Sequence, residues 1–315
     1  MKILVTGGCG YTGTILVNSL LKDNHKVIVI DTQWFGNFLK KNNNLKIIKG
    51  DVRNLKDYYF KKVDSVIHLA NIANDPGVEL NPNLSWEVNV LATRKLAELS
   101  IKNKVKQIIF ASSGSVYGLK KEKKVTEDLD LVPISTYNKT KMIAERVLMS
   151  YQDKIKIHCI RPATVCGLSP RMRLDVTVNN FTFQACKNKI ITVFGGKQIR
   201  PNIHIKDLIR VYKFFLYNKQ FKNGFYNAGF ENLSILKIAK KIQKIIPSKI
   251  KVSKSNDVRS YRQSSQKLLS LGFKSKYSID DAINEIFKAF NSKKLKDNRS
   301  YYTVSWMKKI GLHNG

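Results

Sequence analysis

Through its first half the chain alternates short apolar runs with longer stretches that carry a helical stripe. Ile3-Leu4-Val5 is β-rich and shows no polar alternation, the pattern of a strand covered on both faces. Ile15, Leu16, Leu20 and Leu21 then mark one face of a helix over about 14–22, which Asp23-Asn24-His25 ends. A second buried strand spans 26–30 and stops at Asp31, and further strands are expected at 45–48, 63–70, 106–111 and 155–160. A segment rich in Pro and Asn over 71–85 is expected to hold no regular structure. It leads into a helix over 84–102, apolar at Val88, Leu91, Ala92, Leu96 and Leu99, and another helix opens near Pro133 and runs to about 151. Strands alternating with helices predict an α/β fold, a doubly wound parallel sheet with helices on both faces.

After Gly167 the rhythm changes. Helices are expected at 176–187, 206–217, 234–246 and 279–289, with a strand at 190–193. The predicted organisation is a doubly wound domain over 1–165 and a smaller mixed α/β domain over 166–315, with a segment around 203–207 crossing back. The tail, 293–315, is polar, but Trp306 and Met307 within it predict that it docks on the body.

Between the first strand and the first helix the chain reads Thr6-Gly7-Gly8-Cys9-Gly10-Tyr11-Thr12-Gly13. Gly7 admits an unusual φ, Gly10 leaves room for a pyrophosphate to approach, and Gly13 lets helix and strand pack closely. The unpaired N–H groups and dipole of the helix start would favour an anion. Alone, this spacing is equally that of an ordinary glycine-rich turn. Asp31, 18 residues past Gly13, stands where a dinucleotide fold places the acid that binds the adenosine ribose, and a carboxylate there repels a 2′-phosphate and favours NAD. Tyr137 and Lys141 lie four apart on one helix face. A tyrosine with an ordinary pKa near 10 is a poor base at neutral pH, and a neighbouring ammonium would lower it. Ser113, just beyond the fifth strand, could polarise a substrate oxygen between them.

Composition alters this picture little. The chain has 315 residues and a net charge of +33, but 45 of its 56 basic residues are Lys and 11 are Arg. Scattered lysines read as solvated faces, whereas sequence-reading nucleic-acid proteins lean on arginine forks. No apolar run of about 18 residues offers a membrane span. The opening residues pass straight into a strand with no secretory pattern. Cys9, Cys159, Cys166 and Cys186 lack C-x-x-C spacing and read as reduced thiols in a cytoplasmic protein, neither a disulfide frame nor a zinc site.

Taken together the motifs identify a resemblance. Thr6-Gly7-x-x-Gly10-x-x-Gly13, Asp31, Gly50-Asp51-Val52, His68-Leu69-Ala70, Asn89, Ser113, Tyr137-x-x-x-Lys141, Arg161-Pro162 and Arg200-Pro201-x-x-His204-x-x-Asp207 occur in order over nearly the whole chain. In this the chain resembles the extended short-chain dehydrogenase/reductase family, in particular its NAD-dependent nucleotide-sugar epimerases and dehydratases. The resemblance implies a Rossmann-type first domain and a nucleotide-sugar-binding second domain. It implies that Gly7, Gly10, Tyr11, Thr12 and Gly13 surround the cofactor, with Asp31 on the adenosine ribose and Asp51 and Val52 at the adenine. Leu69 and Ala70 would line the NAD pocket, and Asn89 would support the cofactor and the active-site helix.

The same resemblance makes Tyr137 the general base and acid, Lys141 the ligand of the nicotinamide ribose, and Ser113 a partner of the sugar hydroxyl. Arg200 would meet the substrate diphosphate, joined on the substrate side by Arg171, Arg173 and Arg259. A homodimer through the helices near 84–102 and 137–151 is also implied. The implied activity is epimerisation through a transient keto sugar. A dehydrogenase or reductase of the same family is the alternative, and an RNA-binding or regulatory member is the alternative of another class. Three departures bear on this. Gly114-Ser115 stand where 4,6-dehydratases carry Asp-Glu, and Thr164 and Lys254 stand where UDP-galactose epimerases carry Asn and Arg. The segment Ser169-Pro-Arg-Met-Arg-Leu-Asp175 resembles relatives that act on other sugar nucleotides, GDP-linked ones included.

Overall fold

The computed structural model describes residues 1–255 and 260–312. Its strands are β1 (Lys2–Thr6), β2 (Lys26–Asp31), β3 (Leu45–Lys49), β4 (Ser65–His68), β5 (Gln107–Ala111), β6 (Lys156–Pro162), β7 (Thr164–Cys166), β8 (Ile190–Phe194), β9 (Ile199–His204), β10 (Gly224–Ala228), β11 (Glu231–Ser234) and β12 (Lys249–Ser253). Seven form a parallel sheet in the order β3-β2-β1-β4-β5-β6-β10. The order reverses at β1, and the crevice beyond β1 and β4 is where such sheets bind ligands.

Alternate residues of each strand point to opposite faces. Ile3 and Val5 turn toward a layer built by Leu16, Val17 and Leu20 of helix α1 (Tyr11–Lys22). Leu4, Ile28 and Ile30 turn the other way. Between β4 and β5 the chain forms α2 (Asp75–Val78), α3 (Pro82–Trp86) and α4 (Ala92–Lys102), and after β5 it forms α5 (Thr136–Met149). Leu96 and Ala97 of α4 and Ala144 and Leu148 of α5 cover that second face.

The segment 71–85 is therefore more regular than its composition implies. Asn74 and Asn81 cap α2 and α3, their side chains accepting from Gly77 N and Leu84 N, and a proline follows each cap in the first turn. The residues that read as breakers are good starters. One π turn, Glu87–Leu91, joins α3 to α4 where a single helix was expected.

The second part holds a three-stranded sheet, β7-β9-β11, and a parallel pair, β12-β8. They are packed by α6 (Thr177–Asn188), α8 (Ile235–Ile245) and α10 (Ile279–Asn291), with Val178, Ile191, Ile238, Ile242 and Ile283 in the core. The chain passes from the first sheet to the second at Ala163. The crossing is longer than 203–207: α7 (Ile205–Tyr217) lies with α1 on the first sheet, through Leu208, Val211 and Phe215, and β10 then joins that sheet as its seventh strand. The short α9 (Gln266–Ser270) follows β12. The tail does dock. A 3-10 turn at Arg299–Tyr301 leads into α11 (Thr303–Lys309), where Met307 is buried among Ile72, Val78 and Val88 and Trp306 Nε1 donates to Trp34 O at 2.5 Å. All four cysteines are free and buried, and no helix among the described residues is long and apolar enough to cross a membrane.

Candidate active site

A cleft of about 740 Å³ runs across the carboxyl ends of β1, β2, β4 and β5 and on between the two parts of the chain. Its floor is the glycine loop. Gly7 has φ +72°, and a Cβ there would come within 2.6 Å of Ala70 N; a Cβ on Gly13 would come within 2.3 Å of Gly7 O. These two glycines thus bring the loop against β4 and α1 against β1. Gly10, at the N-cap of α1, supplies no side-chain cap, and the first N–H with a helical acceptor is that of Thr14. The amides of residues 11–13 therefore offer the positive end of α1 to the cleft. A glycine cradle under uncapped helix amides fits a dinucleotide diphosphate.

Around this floor the other expected cofactor residues take definite positions. Asp31, at the end of β2, accepts from Cys9 N at 2.9 Å and Gln33 N at 2.7 Å. Burial raises its carboxyl above the usual range, while the two amides and the charge of Arg171 oppose the rise. Asp51 accepts from Arg53 N and from Arg53 Nη2, both at 2.8 Å. Burial works against the Asp51 carboxylate, but the Arg53 hydrogen bonds outweigh it and hold the pKa low. Val52, Leu69 and Ala70 line the wall. Asn89 does not. Its amide oxygen accepts from Ile72 N at 2.8 Å and its nitrogen donates to Ile72 O and Thr140 Oγ1, so it braces the 71–74 loop against α5. Tyr11 lines the cleft, but its hydroxyl donates to Gly167 O at 2.7 Å and ties α1 to the second part. His68 is structural: it bridges Thr6 Oγ1 at 2.6 Å and Thr93 Oγ1 at 2.9 Å, and burial pulls its pKa down to about 3.

Ser113 and Tyr137 meet at the far end of β5 and both line the cleft. Ser113 Oγ accepts from Ser115 N at 3.2 Å and lies 2.7 Å from Ser115 Oγ. Tyr137 sits in the first turn of α5, whose N-cap, Ser135, accepts from Asn138 N and donates to the Asp75 carboxylate. Burial pushes the Tyr137 phenol up to about 12, and the Ser113 hydroxyl and the Arg173 charge oppose this. Lys141 does not act on it as expected. One turn further along α5 it is 1% exposed, its Nζ donates to Ala111 O at 2.7 Å, and it lies over the Phe110 ring behind the cleft wall. Burial lowers its pKa to about 7, with Glu145 resisting. Shared helix face placed the pair correctly. The depth of the second turn withheld the charge from the phenol.

On the opposite wall Arg171, Arg173 and Arg200 face in from the second part. Arg173 makes a fork with Asp175, at 2.8 and 3.2 Å. Arg171 is 4% exposed and stacks on Phe35 with its guanidinium carbon 4.1 Å from the ring centroid. Arg200 donates to Ile199 O at 3.3 Å.

The profile of the NAD dependent epimerase/dehydratase family matches residues 3–229, which hold both ends of this cleft. The chain belongs to that family. Among similar proteins is a UDP-glucose 4-epimerase of Lactobacillus helveticus, 30% identical over 91% of this chain and 96% of the relative. A UDP-glucuronic acid decarboxylase 1 of Danio rerio is 26% identical over 92% of this chain and 72% of its own. A UDP-glucuronic acid 4-epimerase from Bacillus cereus, solved with UDP-glucuronic acid and NAD, superposes with a TM-score of 0.83 at 28% identity, over 93% of this chain and 100% of that one.

Within an epimerase/dehydratase fold the cleft thus gathers the glycine loop, Asp31, Asp51, Val52, Leu69, Ala70, Ser113, Tyr137, Arg171, Arg173 and Arg200. Asn89 and Lys141 stand behind it, Lys254 is exposed and outside its lining, and Arg259 lies outside the described residues. Sequence reasoning missed Trp34, Phe35, Asp75, Asp175, Thr303 and Met307, all in the wall. Asn74-Asp75-Pro76 carried a usable signal as a helix start. Met307 signalled docking but not its partner, and Thr303 carried no signal, because only the folded chain brings residue 303 to Asp175, whose carboxylate accepts from Thr303 N at 3.0 Å.

Proposed function

We propose that the protein epimerises a UDP-sugar at a secondary hydroxyl carbon, C4 being the position that its relatives' names point to, through a transient keto sugar. The observation that carries this reading is the convergence of Ser113 and Tyr137 on one cleft whose other end is a glycine loop with an acid at β2. The glycine loop, Asp31 and Asp51 would hold NAD, which would supply a reversible hydride acceptor for the sugar carbon. The protein's part is proton transfer and positioning. Tyr137 Oη takes the hydroxyl proton on oxidation and gives it back on reduction. A phenol near 12 holds that proton well, so the base works when positive charge reaches the site, which Arg173 on the facing wall can supply. Ser113, fixed by Ser115 N, orients the sugar oxygen. Arg200 and Arg173 suit the diphosphate, since planar guanidinium forks match its oxygens.

One local feature weighs against water elimination. No acid follows Ser113; Gly114 packs against Gln263, with Oε1 3.0 Å from where its Cβ would be, and Ser115 turns to Ser113. We also assign a homodimer through α4 and α5, supported by Leu91, which is 61% exposed beside them, and tested by light scattering. The free buried thiols suit a reducing compartment, and the cytoplasm is the setting we assign. The function is tested by incubating the purified protein with UDP-, GDP-, CDP- and dTDP-sugars and separating the products by chromatography with mass detection. A product of unchanged mass and no net NADH is expected from a UDP-sugar. Loss of water or carbon dioxide, or stoichiometric NADH, would refute epimerisation.

A further inference from the structure

Arg171 carries a positive charge into the cleft wall at a place where no described side chain pairs with it. Its Nε is buried without a hydrogen-bond partner, while Nη1 donates to the neighbouring Met172 O at 3.3 Å. Arg173, two residues on, has by contrast a carboxylate partner in Asp175. A buried guanidinium left unpaired is costly unless an anion completes it.

Its surroundings show which anion. Although Arg171 comes from the second part of the chain, its segment is fastened to the start of α1: Ser169 Oγ donates to Tyr11 O at 2.8 Å, and Tyr11 Oη donates to Gly167 O at 2.7 Å. The guanidinium stacks on Phe35, four residues past Asp31, and its charge is felt by the Asp31 carboxylate. From behind, Leu174 N donates to Tyr301 O at 2.9 Å and Asp175 accepts from Thr303 N, so the docked tail holds the segment in place. The Arg171 segment is therefore fastened at the start of α1, and its guanidinium lies within reach of the β2 acid's charge.

We propose that Arg171 belongs to the cofactor half of the site, clamping the diphosphate–adenosine portion of NAD against the α1 N-terminus from the opposing part of the chain. This reassigns it from the substrate side, and it rests on reading the cleft as an NAD-dependent sugar-nucleotide site. Cofactor retention then depends on the second part and the tail staying closed over the first. The result is a dinucleotide gripped from both sides, as suits a hydride store that is regenerated in each cycle.

Arg171→Gln tests this by binding. NAD affinity is read from quenching of tryptophan fluorescence, Trp34 lining the cleft, and retention from the NAD released by acid from purified protein. NAD binding should weaken about tenfold or more, as expected on losing a charge-assisted fork, while UDP affinity of the NAD-loaded protein by calorimetry stays within about twofold. Wild-type NAD affinity in the variant overturns the proposal, and a selective loss of UDP binding returns Arg171 to the substrate. If Gln at this buried position prevents folding, Arg171→Lys carries the same test. It keeps the charge but lacks the planar fork, so faster NAD loss is expected and wild-type retention overturns the proposal. Wild-type protein that holds NAD yet converts no sugar nucleotide would refute the functional reading and leave the assignment of Arg171 standing.

Discussion

Replacing Lys141 by Met should raise the stability of the protein. The lysine is 1% exposed, lies 4.8 Å over the Phe110 ring and gives Ala111 O a hydrogen bond of 2.7 Å, and burial brings its pKa from 10.5 to about 7. The unfolded chain therefore holds the Lys141 proton more tightly than the folded one. Between pH 7 and 10.5 unfolding takes up a proton, so this residue's contribution to stability improves as pH rises; below pH 7 its full cost is present. At about 1.36 kcal/mol per pH unit, that fall caps the cost at about 5 kcal/mol. Met fills a similar slot with no charge but leaves Ala111 O without its donor, a loss of about 1 kcal/mol. The expected net gain for the variant is thus about 2–4 kcal/mol near pH 6.5, closing toward pH 10. Calorimetric melts of both proteins without added cofactor, at half-unit steps across that range, would show it as several degrees that shrink with pH. Melting temperatures that run parallel across the range would refute the view of Lys141 as a charge buried at a cost to stability.

Three further outcomes follow from the same geometry. Tyr137→Phe removes the proton carrier and leaves the glycine loop untouched, so turnover should fall ~100-fold or more with NAD affinity by fluorescence within about twofold; retained turnover would remove Tyr137 from the role of base. Asp31→Ala takes away the acceptor of Cys9 N and Gln33 N and the charge that repels a 2′-phosphate, so titrations should show weaker NAD binding and a smaller preference over NADP. A wild type that already prefers NADP would contradict this account of β2. Glu145→Ala leaves the Arg161 guanidinium, held in a fork at 2.8 and 2.7 Å and buried beneath Tyr117, without its carboxylate, and denaturant unfolding should show a loss of about 3–5 kcal/mol.

What the sequence made legible was local. The glycine loop, Asp31 and the Tyr137–Lys141 spacing report turns, strand ends and one helix face, and each landed where periodicity put it. Depth was less legible. Spacing says that Tyr137 and Lys141 share a face, but not that the second turn of α5 lies under Ala111 and Phe110, where Lys141 is shielded from the phenol. Asn89 shows the same limit. The resemblance implied that it supports the cofactor and the active-site helix; its amide braces Ile72 and, on that helix, Thr140, one layer behind the cleft.

Long-range closure was illegible for a different reason. Trp306 and Met307 signalled that the tail docks, since large apolar residues in a polar stretch need a partner, but nothing local says which partner. The fold answers with Trp34 and with Ile72, Val78 and Val88, which belong to the loops after β2 and β4. Those loops form one rim of the cleft, and the tail meets the other rim at Tyr301 and Thr303, against Leu174 and Asp175. One strap therefore joins both rims. Because the Arg171 segment is sewn into it, changes in the tail and changes at residue 171 act on the same quantity, the lifetime of the bound cofactor. Met307→Asp, which drives a carboxylate into the apolar seat of α11, should consequently shorten NAD retention. NAD release unchanged in that variant, with α11 undocked by hydrogen exchange, would separate the strap from the clamp.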